Sequence, residues 1–272
     1  MSGAESIGIG NCRCWTLADG ELLYPGSLVL PPEGQPPGEM WVPYAGMLVE
    51  TGSVRILIDT GAGALGPKTG KLPESLRAAG FSPDDIDMVI FSHGHPDHIG
   101  GLGQFPNAGV VMMRKEFEFW TAAETQAKLE AGAMYGLGPF EQMMAAAIRD
   151  LLEPARDRLR LLDGPAEIAG GVLVFPAPGH TPGHAAVLIS SERQQLLYVG
   201  DAIIHPAQFE HPDWLCAFDL AGEDTIGTRK ELLDRASTDQ CLLAASHLPG
   251  VAGAVEGRQS RYRWEPAAAE AF

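Results

Sequence analysis

Apolar residues along this chain fall into two patterns, short continuous runs and runs spaced by three and four, and the two alternate. Met47–Thr51 and Val54–Ile58 are apolar runs split by Gly52-Ser53, which predicts a β-hairpin. Met88–Ser92 and Val110–Met113 are apolar without interruption, as expected of strands buried on both faces. Val172–Ala177, Ala185–Ser190, Leu196–Val199 and Leu242–Ala245 are further strand candidates. Helical spacing marks Leu72–Ala79, closed by Gly80, and Thr225–Ala236. Ser82-Pro83 predicts another helical turn, with Ser as cap and Pro in the first position. The stretch from Glu116 to Leu162 reads as helical, with clear segments at Thr121–Ala131 and Glu141–Leu152. Pro31–Gly38, rich in Pro and Gly, predicts an exposed loop ahead of the first firm strands. Strands mixed with helices throughout imply a layered α/β architecture, with sheets inside and helices outside.

Composition refines this picture. With 272 residues, 45% hydrophobic and 20% charged, the chain can bury a real core, and we expect one domain over residues 1–272 with disorder only at its termini. Nineteen Lys and Arg stand against 35 Asp and Glu, a formal charge of -16. Such a surface repels phosphate backbones and anionic membranes, so neither nucleic acid nor membrane is an expected partner. The four cysteines, Cys12, Cys14, Cys216 and Cys241, form no C-x-x-C pair and read as free thiols. Met1–Gly10 has no Lys or Arg and no apolar stretch of signal-peptide kind, and no run reaches the ~18 apolar residues of a membrane span, so the expected location is the cytoplasm.

The chemistry concentrates in Ser92-His93-Gly94-His95-Pro96-Asp97-His98, directly after a buried strand. Alternation near a strand end puts His93 and His95 on one side, where they can share a metal. Asp97 and His98, beyond Pro96, turn away to offer an oxygen and a nitrogen to a second ion. Imidazole and carboxylate suit zinc or a similar first-row metal. This cluster cannot complete two coordination shells by itself. Three later residues, His180, Asp201 and His247, each follow an apolar strand, and ligands at successive strand ends converge on one edge of a sheet.

Taken in order, His93-x-His95-x-Asp97-His98, Gly179-His180-Thr181-Pro182-Gly183-His184, Gly200-Asp201 and Ser246-His247, preceded by Asp59-Thr60-Gly61, resemble the motifs of the metallo-β-lactamase superfamily. The resemblance implies a four-layer αβ/βα sandwich, with residues 116–162 as a helical insertion, and two divalent ions, zinc foremost. It implies that His93, His95 and His180 bind the first metal, that Asp97, His98 and His247 bind the second, and that Asp201 bridges them. His184 is then a supporting or packing histidine, and Asp59 a hydrogen-bonding brace for the metal loop. Thr181-Pro182-Gly183 suits a type II turn, with Pro and Gly at its central positions. His205 faces either substrate or solvent, and His211 belongs to a solvated loop.

Two cations roughly 3.5–4 Å apart bring a bridging water to a pKa near neutrality, and the resulting hydroxide attacks carbon or phosphorus. The expected catalytic carboxylates are Asp201, which holds the bridge and relays a proton, and Asp97. A narrower resemblance, to methyl parathion hydrolase and its lactonase and aryl-esterase relatives, is carried by residues 57–64, Phe105-Pro106-Asn107-Ala108, residues 207–212, residues 244–249 and Tyr262-Arg263-Trp264-Glu265-Pro266. It implies small, neutral, apolar ester-like substrates: lactones or aryl esters first, phosphotriesters as a second activity or as the main one. Zinc β-lactamases of one class place a cysteine where this chain has Asp201, nucleases of the superfamily sit badly with the negative charge, and the stretch after His247 is too short for the C-terminal domain of glyoxalase II. Phe117, Phe119, Trp120, Met134, Tyr135, Phe140, Met143 and Met144 of the insertion, with Ile204, His205 and Phe209, are candidates to line an apolar pocket over the metals. Homoserine lactonases carry a tyrosine three residues after the bridging aspartate, where this chain has Ile204. Many relatives are dimers, which makes a homodimer the expected assembly. Two other classes remain open: a mononuclear-iron oxygenase of the persulfide-dioxygenase type, which uses fewer of these ligands, and a non-catalytic binding module.

Overall fold

A computed structural model describes residues 5–34, 38–250, 252–258 and 261–268. Two seven-stranded sheets form its middle. The first runs in chain order through β1 (Glu5–Ile9), β2 (Cys12–Pro25), β3 (Glu39–Thr51), β4 (Val54–Ile58), β5 (Met88–Ile90), β6 (Gly109–Met113) and β7 (Leu159–Leu162). Its first four strands form an antiparallel meander, and β4 to β7 are parallel. The second sheet comprises β8 (Ala166–Ala169), β9 (Val172–Pro176), β10 (Ala185–Ser191), β11 (Gln194–Tyr198), β12 (Leu242–Ala244), β13 (Gly253–Arg258) and β14 (Arg261–Pro266), antiparallel except between β11 and β12.

Side-chain alternation makes the layers. Met47, Val49, Ile56 and Ile58 of the first sheet pack against Val172, Val174, Val187, Ile189 and Leu196 of the second, filling the space between the sheets. Their neighbours Leu48, Leu57 and Val89 point the other way, onto α2 (Leu72–Ala78) and the insertion helices α4 (Arg114–Thr121), α5 (Ala123–Glu130) and α6 (Pro139–Ala147). On the far side Ala186, Leu197 and Leu243 meet Leu232, Leu233 and Ala236 of α8 (Gly222–Thr238). The result is helix, sheet, sheet, helix, the four-layer sandwich expected from the motifs. Short helices α1 (Gly26–Val29), α3 (Pro96–Ile99) and α7 (Ala207–Glu210) lie in loops at one end of the sheets. β4 and β5 are parallel, and β9, β11 and β12 run the same way, so the segments following these strands gather on one edge.

The predicted hairpin has the register Thr51↔Val54 to Met47↔Ile58. Three expectations need correction. Pairing begins far earlier than Met47, because β1, β2 and the first half of β3 form a long ribbon. The insertion is not helical to Leu162: Ala122, in extended backbone, breaks it, Ile148–Leu152 widens to a π-turn, and β7 leaves it to pair with β6. The Pro182-Gly183 turn is closed by the His184 N–H on Thr181 O at 3.3 Å, but Gly183 does not take the positive φ of a type II turn. Of the expected loop Pro31–Gly38, residues 35–37 lie outside the described part, as do most of the terminal residues where disorder was expected. Among the described residues no helix is long and apolar enough to cross a membrane.

Candidate metal centre

Backbone geometry first brings the ligands within reach. Asp59 follows β4 at a φ of 59°, in the left-handed region, which turns its carboxylate toward the loop after β5. One oxygen accepts the Ser92 N–H at 2.8 Å, and the other accepts the Ser92 hydroxyl at 2.7 Å, the His98 Nδ1–H at 2.8 Å and the Tyr198 hydroxyl at 2.9 Å. Asp59 is thus hydrogen-bonded to both ends of the loop, and its atoms belong to neither group of donors below. Pro96 starts α3, whose single turn hangs from the His95 carbonyl through the His98 and Ile99 N–H groups, and so presents Asp97 and His98 together.

Two groups of donors result. His93, His95, His180 and Asp201 form one; Asp97, His98, Asp201 and His247 form the other; within each, the ligand atoms lie within 4.8 Å of one another. In the first, His95 Nδ1 is 2.9 Å from His93 Nε2 and 3.1 Å from His180 Nε2. Each ring has its other nitrogen engaged elsewhere: His93 Nδ1 with Ser92 Oγ at 3.1 Å, His95 Nε2 with the Tyr135 hydroxyl at 2.9 Å, His180 Nδ1 with Asp219 Oδ1 at 2.8 Å. Where those outer nitrogens carry the protons, three lone pairs face one another, which is unfavourable until a cation sits among them. Burial, then the neighbouring His98, holds His93 well below the usual histidine pKa, and burial, then His180, does so for His95. Both are therefore the neutral imidazoles that bind metals.

The second group carries an independent sign. His98 Nε2 and Asp201 Oδ1 are buried, 3.2 Å apart, and neither has a hydrogen-bond partner among the described residues. Buried polar atoms of this kind are costly unless something pairs with them, and a divalent cation would satisfy both. His247 Nε2 lies 3.2 Å from Asp201 Oδ2 and 3.5 Å from Asp97 Oδ2, while its Nδ1–H donates to Pro43 O at 2.7 Å. Burial works against the charge on Asp201, yet His247, His98 and His93 hold its carboxyl well below the usual carboxylate range. The donor set fits two cations sharing one carboxylate.

Residues that the sequence does not flag hold this arrangement. Glu116, fully buried in α4, accepts from Gly94 N at 2.9 Å and Trp120 Nε1 at 2.6 Å with one oxygen, and from Thr181 Oγ1 at 2.8 Å and Gly183 N at 2.9 Å with the other. It ties the His93–His95 segment to the His180 turn. A Cβ on Gly183 would lie 2.1 Å from the Glu116 nitrogen, so close approach requires glycine there. Asp219 orients His180 and also accepts the Cys216 N–H at 2.8 Å. The only trace of either in the sequence is a carboxylate set among aromatic residues, at Phe117 to Trp120 and at Phe218. His184 accepts the Asp201 N–H on Nε2 at 3.1 Å, which places its proton on Nδ1, directed at Ala177 O at 3.0 Å. Burial lowers its pKa to about 4, so it stays neutral in that role.

A cavity opens over the two groups. His95, Asp97, His180, Asp201 and His247 line it together with Tyr24, Val29, Val42, Tyr44, Pro96, Phe140, Ile204, Cys216 and Phe218. No Lys or Arg lines it among the described residues. Of the candidate pocket residues, Phe140 and Ile204 line this cavity. The others do not. Phe117, Trp120 and Met144 are buried in the core between the insertion and the first sheet, with Met134 and Phe119 packed against it. Phe209 lies in the core under α8, and half-buried His205 turns its Nδ1 to the Ala207 N–H at 3.1 Å. These side chains face the helix core because the stripe spaced by three and four is the packing face of the insertion. Tyr135 stands beside the cavity on Phe218, its hydroxyl 2.9 Å from His95 Nε2. His211 stacks on Trp214.

The chain belongs to the metallo-beta-lactamase superfamily, whose family model matches residues 41–247, and the sandwich with two groups of donors at its strand ends agrees with that membership. Within it the chain is similar to an N-acyl homoserine lactonase of a Bacillus sp., 28% identical over 205 residues that span 67% of this chain and 73% of that protein. It superposes on AidC, a dizinc quorum-quenching lactonase in complex with the product N-hexanoyl-L-homoserine, with a TM-score of 0.86 and 28% identity over 98% of both chains. The hydrolase AbOPH, at a TM-score of 0.87 and 24% identity over 98% of both chains, shares the fold. The chain is thus a lactonase-like member of the superfamily, and these likenesses do not single out methyl parathion hydrolase.

Proposed function

We propose that this protein is a two-metal hydrolase, with zinc in both sites, that opens lactones bearing an apolar tail and cleaves aryl esters of similar shape, phosphotriesters being slower substrates. The observation that carries the reading is Asp201, a carboxylate shared by two groups of donors and lining an apolar cavity. When bound, the two cations supply Lewis acidity and a water acidified toward neutral pH. The protein supplies the rest. His93, His95 and His180 on one side, and Asp97, His98 and His247 on the other, fix the cations against the common carboxylate. Val29, Val42, Phe140, Ile204 and Phe218 take up an apolar tail and exclude solvent from the acyl carbon. Asp97, whose side chain is 14% exposed against 6% for Asp201, faces the cavity and moves a proton from the attacking water to the departing alkoxide. The acyl C–O bond breaks, water oxygen joins the acyl carbon, and the ring oxygen leaves as a hydroxyl.

The absence of a cation from the cavity wall favours neutral substrates over phosphomonoesters or carboxylates. N-hexanoyl-homoserine lactone, an aryl acetate and paraoxon form the test panel, with metal content measured by elemental analysis. Two zinc ions per chain and the highest kcat/KM for the lactone are the expected result. Background rates on all three substrates with both metals loaded would sink the proposal, and one iron per chain would favour an oxygenase.

A further inference from the structure

Two tyrosines in the cavity wall have hydrogen-bonding capacity that the fold does not use. Tyr24 ends β2, Tyr44 lies in β3, and their hydroxyl oxygens are 2.5 Å apart. Tyr24 packs edge-on to Phe218 at 6.1 Å, and Tyr44 edge-on to the His247 ring at 5.4 Å. Neither hydroxyl has another hydrogen-bond partner among the described residues. Two O–H groups that share one hydrogen bond leave one proton undonated, whichever of them is the donor. That proton opens on the cavity, because both residues line it. Tyr44 is 1% exposed and Tyr24 half-buried, so the arrangement that satisfies the more buried donor has Tyr44 donating to Tyr24.

The surroundings make this donor distinctive. Apart from the metal-ligand candidates, the lining residues are Val29, Val42, Pro96, Phe140, Ile204 and Phe218, which have no side-chain donor, and Cys216, whose thiol is a weak one. A substrate oxygen gaining negative charge over Asp97 and Asp201 therefore has one neutral O–H group available to it. We propose that Tyr24, held in place by Tyr44, is a catalytic residue that donates a hydrogen bond to the acyl oxygen of the bound ester as water adds to the acyl carbon. No proton is transferred; the bond strengthens as charge develops and relaxes as the ring oxygen leaves. Tyr44 is a positioning residue, acting through Tyr24. This assignment rests on the ester-hydrolase reading above, and its test separates the two.

The test compares Tyr24→Phe and Tyr44→Phe with the unaltered, zinc-loaded protein on N-hexanoyl-homoserine lactone and on the corresponding thionolactone. For Tyr24→Phe the lactone kcat should fall by about 100-fold, the range seen when a single oxyanion donor is removed, with KM within about threefold. Tyr44→Phe should lose less, on the order of tenfold, since Tyr24 keeps its hydroxyl but not its anchor. The thionolactone, whose sulfur is a poor acceptor, should lose only a few-fold on Tyr24→Phe. Zinc content should match the parent in both variants, and the melting temperature should fall by no more than about 10 °C, the loss set by one buried hydrogen bond. A lactone kcat within about twofold of the parent in Tyr24→Phe, or an equal loss on both substrates, overturns the role of Tyr24 while leaving the hydrolase reading intact. A loss of kcat that appears only with a loss of zinc, or with a melting temperature lowered by more than about 10 °C, shows a structural role and overturns it too. An unaltered protein that opens neither the lactone nor an aryl ester removes both readings together.

Discussion

Replacing Glu116 with glutamine keeps the shape of the side chain and tests whether its carboxylate holds the metal loops. All four contacts of Glu116 come from donors: two backbone N–H groups, an indole N–H and a hydroxyl. Burial pushes the Glu116 pKa up, and these four donors offset only part of that rise. Three of these partners can only donate and the fourth, the Thr181 hydroxyl, donates here, so the ionised form satisfies all four at once. In Glu116→Gln one oxygen becomes an NH2 group, which settles on the side of Thr181 Oγ1 and Gly183 N, where the hydroxyl can turn to accept and only the Gly183 N–H is left facing a donor; on the other side it would face two fixed donors, Gly94 N and Trp120 Nε1. A buried hydrogen bond to a charged group is worth about 1.5–3 kcal/mol and a neutral one about 0.5–1.5, so one lost contact and the weakening of the other three cost roughly 3–5 kcal/mol. Against a typical stability of about 5–15 kcal/mol that is a large fraction. At roughly 2–4 °C per kcal/mol for a chain of this size, the melting temperature should fall by on the order of 10 °C.

The loss should appear both with zinc bound and after chelation, because the brace is made of protein alone. Zinc affinity should weaken at the first group of donors, since Gly94 lies between His93 and His95 and Thr181 follows His180. Differential scanning calorimetry on both forms, together with a competitive chelator titration, measures the two effects. Glu118→Gln, an exposed change on the same helix, serves as the control and should shift neither. If Glu116→Gln melts within about 2 °C of the parent, the carboxyl is protonated in the fold and the brace argument is refuted.

Removing zinc with a chelator should lower the melting temperature and abolish hydrolysis, and Asp201→Ala should retain at most one metal per chain by elemental analysis, since both groups lose a donor. Asp219→Asn should weaken metal affinity by about 10–100-fold, as is usual when the partner of a liganding histidine is altered, measured by zinc competition. Tyr135→Phe removes the partner of His95 Nε2 and should cost up to about tenfold in the same assay, with a smaller change in kcat. All four thiols are buried and unpaired, and burial raises Cys241 to about 11, so a disulfide reagent at pH 8 should react with none over minutes and with four in urea.

What could be read from the chain followed from how strongly each segment advertises its surroundings. Strands buried on both faces, such as β5 and β6, are apolar throughout and stand out. β2 is buried at Cys12, Cys14, Trp15 and Leu17 but then half-buried and exposed toward Pro25, with a bulge between Ala18 and Gly20, so its pattern fades along its length. β7 is four residues, Leu-Arg-Leu-Leu, whose spacing suits a helix equally well. Only its position beside β6, set by contacts distant in sequence, makes it a strand. The insertion misled for a similar reason. Its aromatic stripe was visible, but periodicity states that a face is buried and not whether helix core or cavity buries it. Phe117 and Trp120 face the core, while Phe140, two helices later, reaches the cavity.

The site divides along the same line. Metal-ligand candidates are legible because their chemistry demands particular residue types at strand ends, and His93, His95, Asp97 and His98 are adjacent enough to be seen at once. Their supports are not legible, because a support need only bring a carbonyl, carboxylate or hydroxyl to the right place. Pro43 O reaches His247 across |i−j| of 204, Asp219 reaches His180 across 39, and the Tyr198 hydroxyl reaches Asp59 across 139. Nothing local distinguishes Pro43 or Tyr198 from any other strand residue. Yet these contacts decide which imidazole nitrogen keeps its proton and which turns its lone pair inward. The same reasoning explains the cavity wall. Tyr24 and Tyr44 lie in the ribbon whose pattern fades, ahead of every metal motif, and their pairing exists only because β2 and β3 bring their hydroxyls together. The ligands set the class of chemistry, while the substrate it acts on is decided by side chains whose roles arise only from tertiary contact.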